Sequence, residues 1–75
     1  MVNNMTFEEN NINYNLEIKT IRSKFKKGAD WDNIMDCASM LLMNSDIQHE
    51  HMCRALIKEI QVRSMFDRTG LFVMG

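Results

Sequence analysis

The sequence contains no proline, three glycines and two cysteines, and these shortages exclude several architectures. Collagen-like, proline-rich and turn-rich all-β chains need far more Gly or Pro. Cys37 and Cys53 have no short spacing, so we interpret them as small buried hydrophobic residues of a reducing compartment. The 75 residues are enough for one small domain with a marginal core.

Long apolar runs and a charge excess are also missing. The longest unbroken apolar run is Met40 to Met43, whereas a membrane-spanning helix needs about 20 such residues. The start of the chain does not look like a signal peptide, and the formal net charge of −1 argues against a dedicated nucleic-acid binder. We therefore expect a soluble, cytoplasmic protein that does not contact a membrane.

The sequence is rich in helical periodicity. Apolar residues from Tyr14 to Phe25 recur at a helical spacing, although those from Ile12 to Ile18 also alternate as in a strand. We favour a helix over 14–27, with Gly28 as its stop. A second helix is predicted from 31 to about 43, with an aspartate at 30 as its N-cap. Its apolar face comprises Trp31, Ile34, Met35, Ala38, Leu41 and Leu42.

A third helix is predicted from about Ile47 to Phe66. Two residues compete for its N-cap, because Ser45 forms a capping box with Gln48 while Asp46 is itself a good cap. One face of this helix carries Met52, Cys53, Leu56, Ile57 and Ile60.

Apolar residues near the end of the third helix lie well away from that face at 100° per residue. Either the helix breaks near Gln61, or its C-terminal half presents a second apolar surface to a partner. The tail after Gly70 is apolar as well, which is unusual for a terminus. The predicted partner-binding residues are Val62, Met65, Phe66, Leu71, Phe72 and Val73.

These patterns predict an all-α fold, a small three-helix domain at residues 14–66. A flexible N-terminal arm is expected at 1–13 and an apolar C-terminal tail at 67–75. The eight methionines suit irregular cores and adaptable binding surfaces alike. Met35 and Met52 are expected in the core. At least two of four others are expected at an interface, namely Met40, Met43, Met65 and Met74.

Charge is zoned along the chain. Residues 19–28 hold five basic side chains and no acidic one, whereas residues 29–50 hold five acidic ones and no Lys or Arg. The basic cluster suits a solvated face that pairs with the acidic second helix, or a contact with nucleic acid or an acidic partner. It comprises Lys19, Arg22, Lys24, Lys26 and Lys27.

A metal site and a catalytic site both have little support. His49 and Cys53 are four residues apart and could share an ion, but His51 points about 160° away from His49. Neither Cys37 nor Cys53 has a basic or helix N-terminal setting that would lower its pKa. No phosphate-binding loop is present. We therefore expect no enzyme activity, cofactor or metal.

The stretch from Glu17 to Phe72 resembles the late-transcription coactivators of T-even-type phages. The similar segments are a basic helix EIKTIRSKF, a capped helix DWDNIMDCA, a polar turn NSDIQHE and a helix centre LIKEIQV. The resemblance implies a non-enzymatic adaptor that binds bacterial RNA polymerase at its β-flap, beside a phage sigma-like factor. It also implies that a hydrophobic C-terminal peptide reaches the DNA sliding clamp.

On this chain, the implied polymerase contact falls on the hairpin of the second and third helices. The implied clamp contact falls on Leu71, Phe72 and Val73, together with Phe66. The family's clamp peptide is also acidic, whereas the tail after Phe66 offers only Asp67. Three alternatives remain: a small phage inhibitor of a host factor, a helical homodimer, and a nucleic-acid-binding accessory protein that uses the basic cluster.

Overall fold

The computed structural model describes residues 12–71, and it confirms the small all-α fold predicted from the sequence. Helix α1 spans Tyr14–Arg22, α2 spans Trp31–Met43 and α3 spans Ile47–Arg68. No strand occurs in residues 12–71. The segment that carried both a helical and a strand pattern therefore starts as a helix.

Each helix begins at a side chain that caps it. Oxygens of Asn13, Asp30 and Asp46 each accept a hydrogen bond from the backbone N–H three residues on, at 3.1, 3.1 and 2.9 Å. Asp46 is thus the N-cap of α3, and Ser45 is not. The Ser45 hydroxyl instead donates to the Leu42 carbonyl at 2.8 Å, so it satisfies the end of α2.

Helix α1 ends at Arg22 and not at residue 27. The Ser23 hydroxyl and the N–H groups of Lys24 and Phe25 all bond to carbonyls three residues back, which tightens the chain and ends the helix. Gly28, with φ of 77°, lies in a separate turn and does not stop the helix. Phe25 still reaches the core, so the apolar spacing outlasts the helix itself.

The core lies between the three helices. Helices α2 and α3 form a hairpin joined by residues 44–46, and α1 packs against both. Met35 and Met52 pack against the core as predicted, and Cys53 is fully buried whereas Cys37 is half-buried. The buried side chains are Tyr14, Ile18, Ile21, Phe25, Trp31, Ile34, Ala38, Leu41, Cys53, Leu56 and Ile60.

Tyr14 joins the start of α1 to the turn between α2 and α3. Its hydroxyl donates to the Asn44 carbonyl at 3.1 Å and accepts from the Asp46 N–H at 3.2 Å. Its ring stacks on His49 with centroids 4.1 Å apart. The His49 ring also contacts the Asp46 carboxylate at 2.7 Å, and this hydrogen bond lowers the pKa of Asp46. One end of the hairpin is therefore held by polar contacts as well as by packing.

The ends of the predicted domain shift slightly. Ile12 packs against the core and Asn13 caps α1, so both belong to the folded part, while residues 1–11 of the predicted arm lie outside the described residues. At the other end, α3 continues past Phe66 to Arg68 without a break near Gln61. Residues 72–75 of the predicted tail also lie outside the described part.

Candidate functional site

Helix α3 carries apolar residues on two opposite faces. On the inner face, Leu56 and Ile60 have no exposed surface. At 100° per residue, the apolar residues 62, 65 and 66 point away from that face. Together with Leu71 they form what we call the α3 outer patch, whose members are between 41% and 65% exposed: Val62, Met65, Phe66 and Leu71.

The end of α3 brings Leu71 back toward the helix. Gly70 adopts φ of 79°, and the Leu71 N–H donates to the Phe66 carbonyl at 2.7 Å while the Gly70 N–H donates to the Asp67 backbone carbonyl at 3.1 Å. This is a Schellman motif, which sets the residue after the glycine beside the last turn of the helix. Leu71 is thereby placed next to Phe66. The predicted partner-binding residues Phe72 and Val73 lie outside the described residues.

Asp67 fixes the end of α3 to the chain that leads into α2. Its carboxylate accepts hydrogen bonds from Trp31 Nε1 at 2.6 Å and from the Gly28 N–H at 2.9 Å. The Trp31 bond, followed by the Gly28 bond, lowers the pKa of Asp67, and Lys27 adds a smaller attraction. Asp67 is the one acidic residue in the tail to which the resemblance assigns clamp binding. Its carboxylate is already bound within the fold.

Neutralising Asp67 is expected to remove a contribution to the free energy of unfolding that depends on pH. Because the folded-state pKa lies below the ordinary value, this carboxylate stabilises the fold above that value and loses its contribution as the pH falls through the folded-state pKa. Asp67→Asn should therefore be less stable than the wild type at pH 7, and the difference should shrink as the pH falls below the ordinary pKa of an aspartate.

Urea unfolding at a series of pH values would measure this effect. Asp36→Asn is the matched control, since it removes one exposed negative charge from α2 without touching the Asp67 contacts. A constant stability difference between Asp67→Asn and the wild type at every pH would contradict the prediction.

The predicted basic cluster runs from α1 into the turn that meets the end of α3 at Asp67. Arg22 pairs with Glu59 of α3 at 3.0 Å, and not with the acidic second helix. Lys24 Nζ lies 3.8 Å from Cys37 Sγ of α2. The turn that follows is bound to Asp67 through Gly28. All five basic side chains are exposed: Lys19, Arg22, Lys24, Lys26 and Lys27.

At least two of Met40, Met43, Met65 and Met74 are predicted at an interface, and the three of them that the structure describes are all exposed. Met65 belongs to the outer patch, while Met40 and Met43 lie on the C-terminal half of α2. Met43 and Ile47 flank the turn between α2 and α3 and are strongly exposed. Met74 lies outside the described residues. Exposure makes these side chains available to a partner without identifying one.

The histidines and cysteines lie in different surroundings, and the expectation that neither cysteine has a basic neighbour is wrong for Cys37, whose Sγ lies 3.8 Å from Lys24 Nζ. His49 stacks on Tyr14 and bonds to Asp46, whereas His51 is exposed. Burial raises the pKa of the Cys53 thiol, which disfavours the nucleophilic thiolate. Among residues 12–71, no three or more His, Cys, Asp and Glu side chains are grouped so that they could hold a metal ion.

Comparison with known proteins adds no assignment. Neither protein-family models, nor curated proteins, nor solved structures gave a match to this chain. None of the helices within residues 12–71 is long and apolar enough to cross a membrane. The exposed outer patch and the exposed basic cluster are the two surfaces that suggest a binding function.

Proposed function

We propose that this protein is a non-enzymatic adaptor that binds a larger protein through the α3 outer patch. The observation that carries the proposal is the exposure of Val62, Met65 and Phe66 on a helix whose opposite face already fills the core. A surface helix of a small domain packs one apolar face on the core, so the second apolar face of α3 is not needed for folding. Clustered exposed apolar side chains of this kind are typical of protein-binding surfaces.

Phe66 is the expected anchor of the interface. Aromatic residues often carry a large share of the binding energy when they enter a pocket on the partner. Met65 beside it is flexible and can adapt to an irregular surface. Leu71, which the Schellman motif holds near Phe66, extends the apolar contact.

Bacterial RNA polymerase is the proposed partner, with the β-flap as its contact site. Support for this choice is the sequence resemblance between Glu17 and Phe72, and the proposed role is that of a phage-type transcription regulator in the cytoplasm. A contact of Phe66 and Leu71 with the sliding clamp is the alternative to this proposal, because one patch cannot bind the polymerase and the clamp at once. Asp67 is not expected to contribute to it, because Trp31 and Gly28 already bind its carboxylate.

Binding to purified bacterial RNA polymerase tests the proposal. The immobilised chain should bind the core enzyme with a Kd of about 1 μM or lower, and an excess of isolated β-flap domain should compete. Biolayer interferometry would measure both effects. Absence of binding to the purified enzyme would overturn the polymerase assignment.

A further inference from the structure

Two exposed cations border the α3 outer patch. Lys58 lies four residues before Val62, and Arg68 lies three residues after Met65, so each is a surface neighbour of a patch residue on the same helix. Both are exposed. A partner that covers the patch must therefore come close to positive charge at both ends of it.

The acidic residues in the same part of α3 are already engaged. The Glu59 carboxylate pairs with Arg22 at 3.0 Å, and the Asp67 carboxylate accepts hydrogen bonds from Trp31 and Gly28. The aspartates of the first turn of α2 belong to a helix that packs on the opposite, inner face of α3. The border of the patch is thus cationic, although the whole chain has a formal net charge of −1.

A second copy of the chain fits this surface poorly. In a symmetric dimer the same patch faces itself. Antiparallel α3 helices that cross at residue 63 would bring Lys58 opposite Arg68, and parallel helices would bring each cation against its own copy. Like charges placed opposite each other across an interface are destabilising.

We propose that the α3 outer patch binds an acidic amphipathic helix of another protein. Its apolar residues, at helical spacing, would cover Val62, Met65 and Phe66, and Glu or Asp side chains on its flanks would meet Lys58 and Arg68. This inference rests on the proposed function and deepens it, because it names the chemistry of the partner segment. Opposite charge at the rim also favours fast and selective association.

Two synthetic helical peptides of equal length test the charge preference. Both carry the same Leu and Phe residues at helical spacing, and the flanking positions are Glu in one and Lys in the other. Fluorescence anisotropy with the full chain should show about tenfold tighter binding of the Glu peptide. The preference should weaken when salt rises from about 50 mM to about 300 mM.

Charge reversal on the protein locates the effect. K58E/R68E should reverse the preference toward the Lys peptide. K19E/K24E makes the same change in net charge on exposed residues of the basic cluster, and it should keep the preference of the wild type. A preference lost equally in both variants would indicate the charge of the whole chain and would overturn the inference.

Other outcomes separate this inference from the polymerase assignment. The inference would be overturned if both peptides bound equally or if neither bound. It would also be overturned by a stable dimer in sedimentation, or by binding to anionic lipid vesicles in place of the Glu peptide. If K58E/R68E binds RNA polymerase as the wild type does, the proposed function stands, and the inference that the partner segment is an acidic helix is rejected. Binding of the Glu peptide without binding of the polymerase would support the acidic helix and reject the polymerase.

Discussion

Leu56→Ala is expected to lower the free energy of unfolding by about 2–5 kcal/mol. The Leu56 side chain has no exposed surface and lies in the core with Cys53 and Ile60. Alanine would remove its buried methyl groups and leave a cavity that a three-helix core refills only in part. A domain of this size has about 4–11 kcal/mol of stability in total, so the variant should be partly unfolded at moderate temperature.

Val62→Ala on the outer face of the same helix is the matched control. Val62 is exposed and alanine is the better helix former, so the expected change is within about 0.5 kcal/mol. Urea unfolding followed by circular dichroism measures both variants. A similar loss for the two substitutions would mean that the outer face of α3 also supports the fold, and it would contradict the division of the helix into a core face and a docking face.

Much of the hairpin follows from local signals in the sequence. The Asp30 side chain and the apolar spacing from Trp31 onward predict α2 with its observed start and end. The start of α3 is predicted as well. These features could be predicted because capping and periodicity act between residues three or four positions apart.

Contacts between distant parts of the chain were not predictable in the same way. The bond between Trp31 and Asp67 joins residues 36 positions apart, and nothing near Asp67 in the sequence indicates its partner. A buried tryptophan usually needs an acceptor for its N–H, and this is the one indication in the sequence that Trp31 has a polar partner elsewhere in the chain. The predicted end of α1 at residue 27 is wrong because Phe25 keeps the helical spacing although the helix ends at Arg22.

The outer patch stands between these two cases. The angular positions of Val62, Met65 and Phe66 on an unbroken helix predict that they cannot share the inner face. In the structure all three side chains are exposed. The helix could have broken near Gln61, since the apolar pattern changes face there. It continues to Arg68, and the Asp67 bonds to Trp31 and Gly28 join its last turns to the rest of the fold. The role of the patch in binding stays a prediction.

The double substitution M65S/F66S is expected to weaken binding to bacterial RNA polymerase by at least about thirtyfold. Truncating an aromatic anchor together with an adjacent apolar contact commonly costs about 2 kcal/mol or more of binding free energy. Both side chains are exposed and lie outside the core, so the helical content of the variant should match that of the wild type.

The matched control is Leu16→Ser, which removes an exposed apolar side chain from α1, outside the hairpin and the outer patch. Titration of each variant against the immobilised polymerase measures the Kd, and thermal unfolding reports on the fold. If the patch is the docking site, the control keeps the Kd of the wild type because it loses exposed apolar surface on α1, away from the patch. Equal weakening by the two variants would mean that affinity follows total exposed apolar surface, and it would reject a docking site on α3.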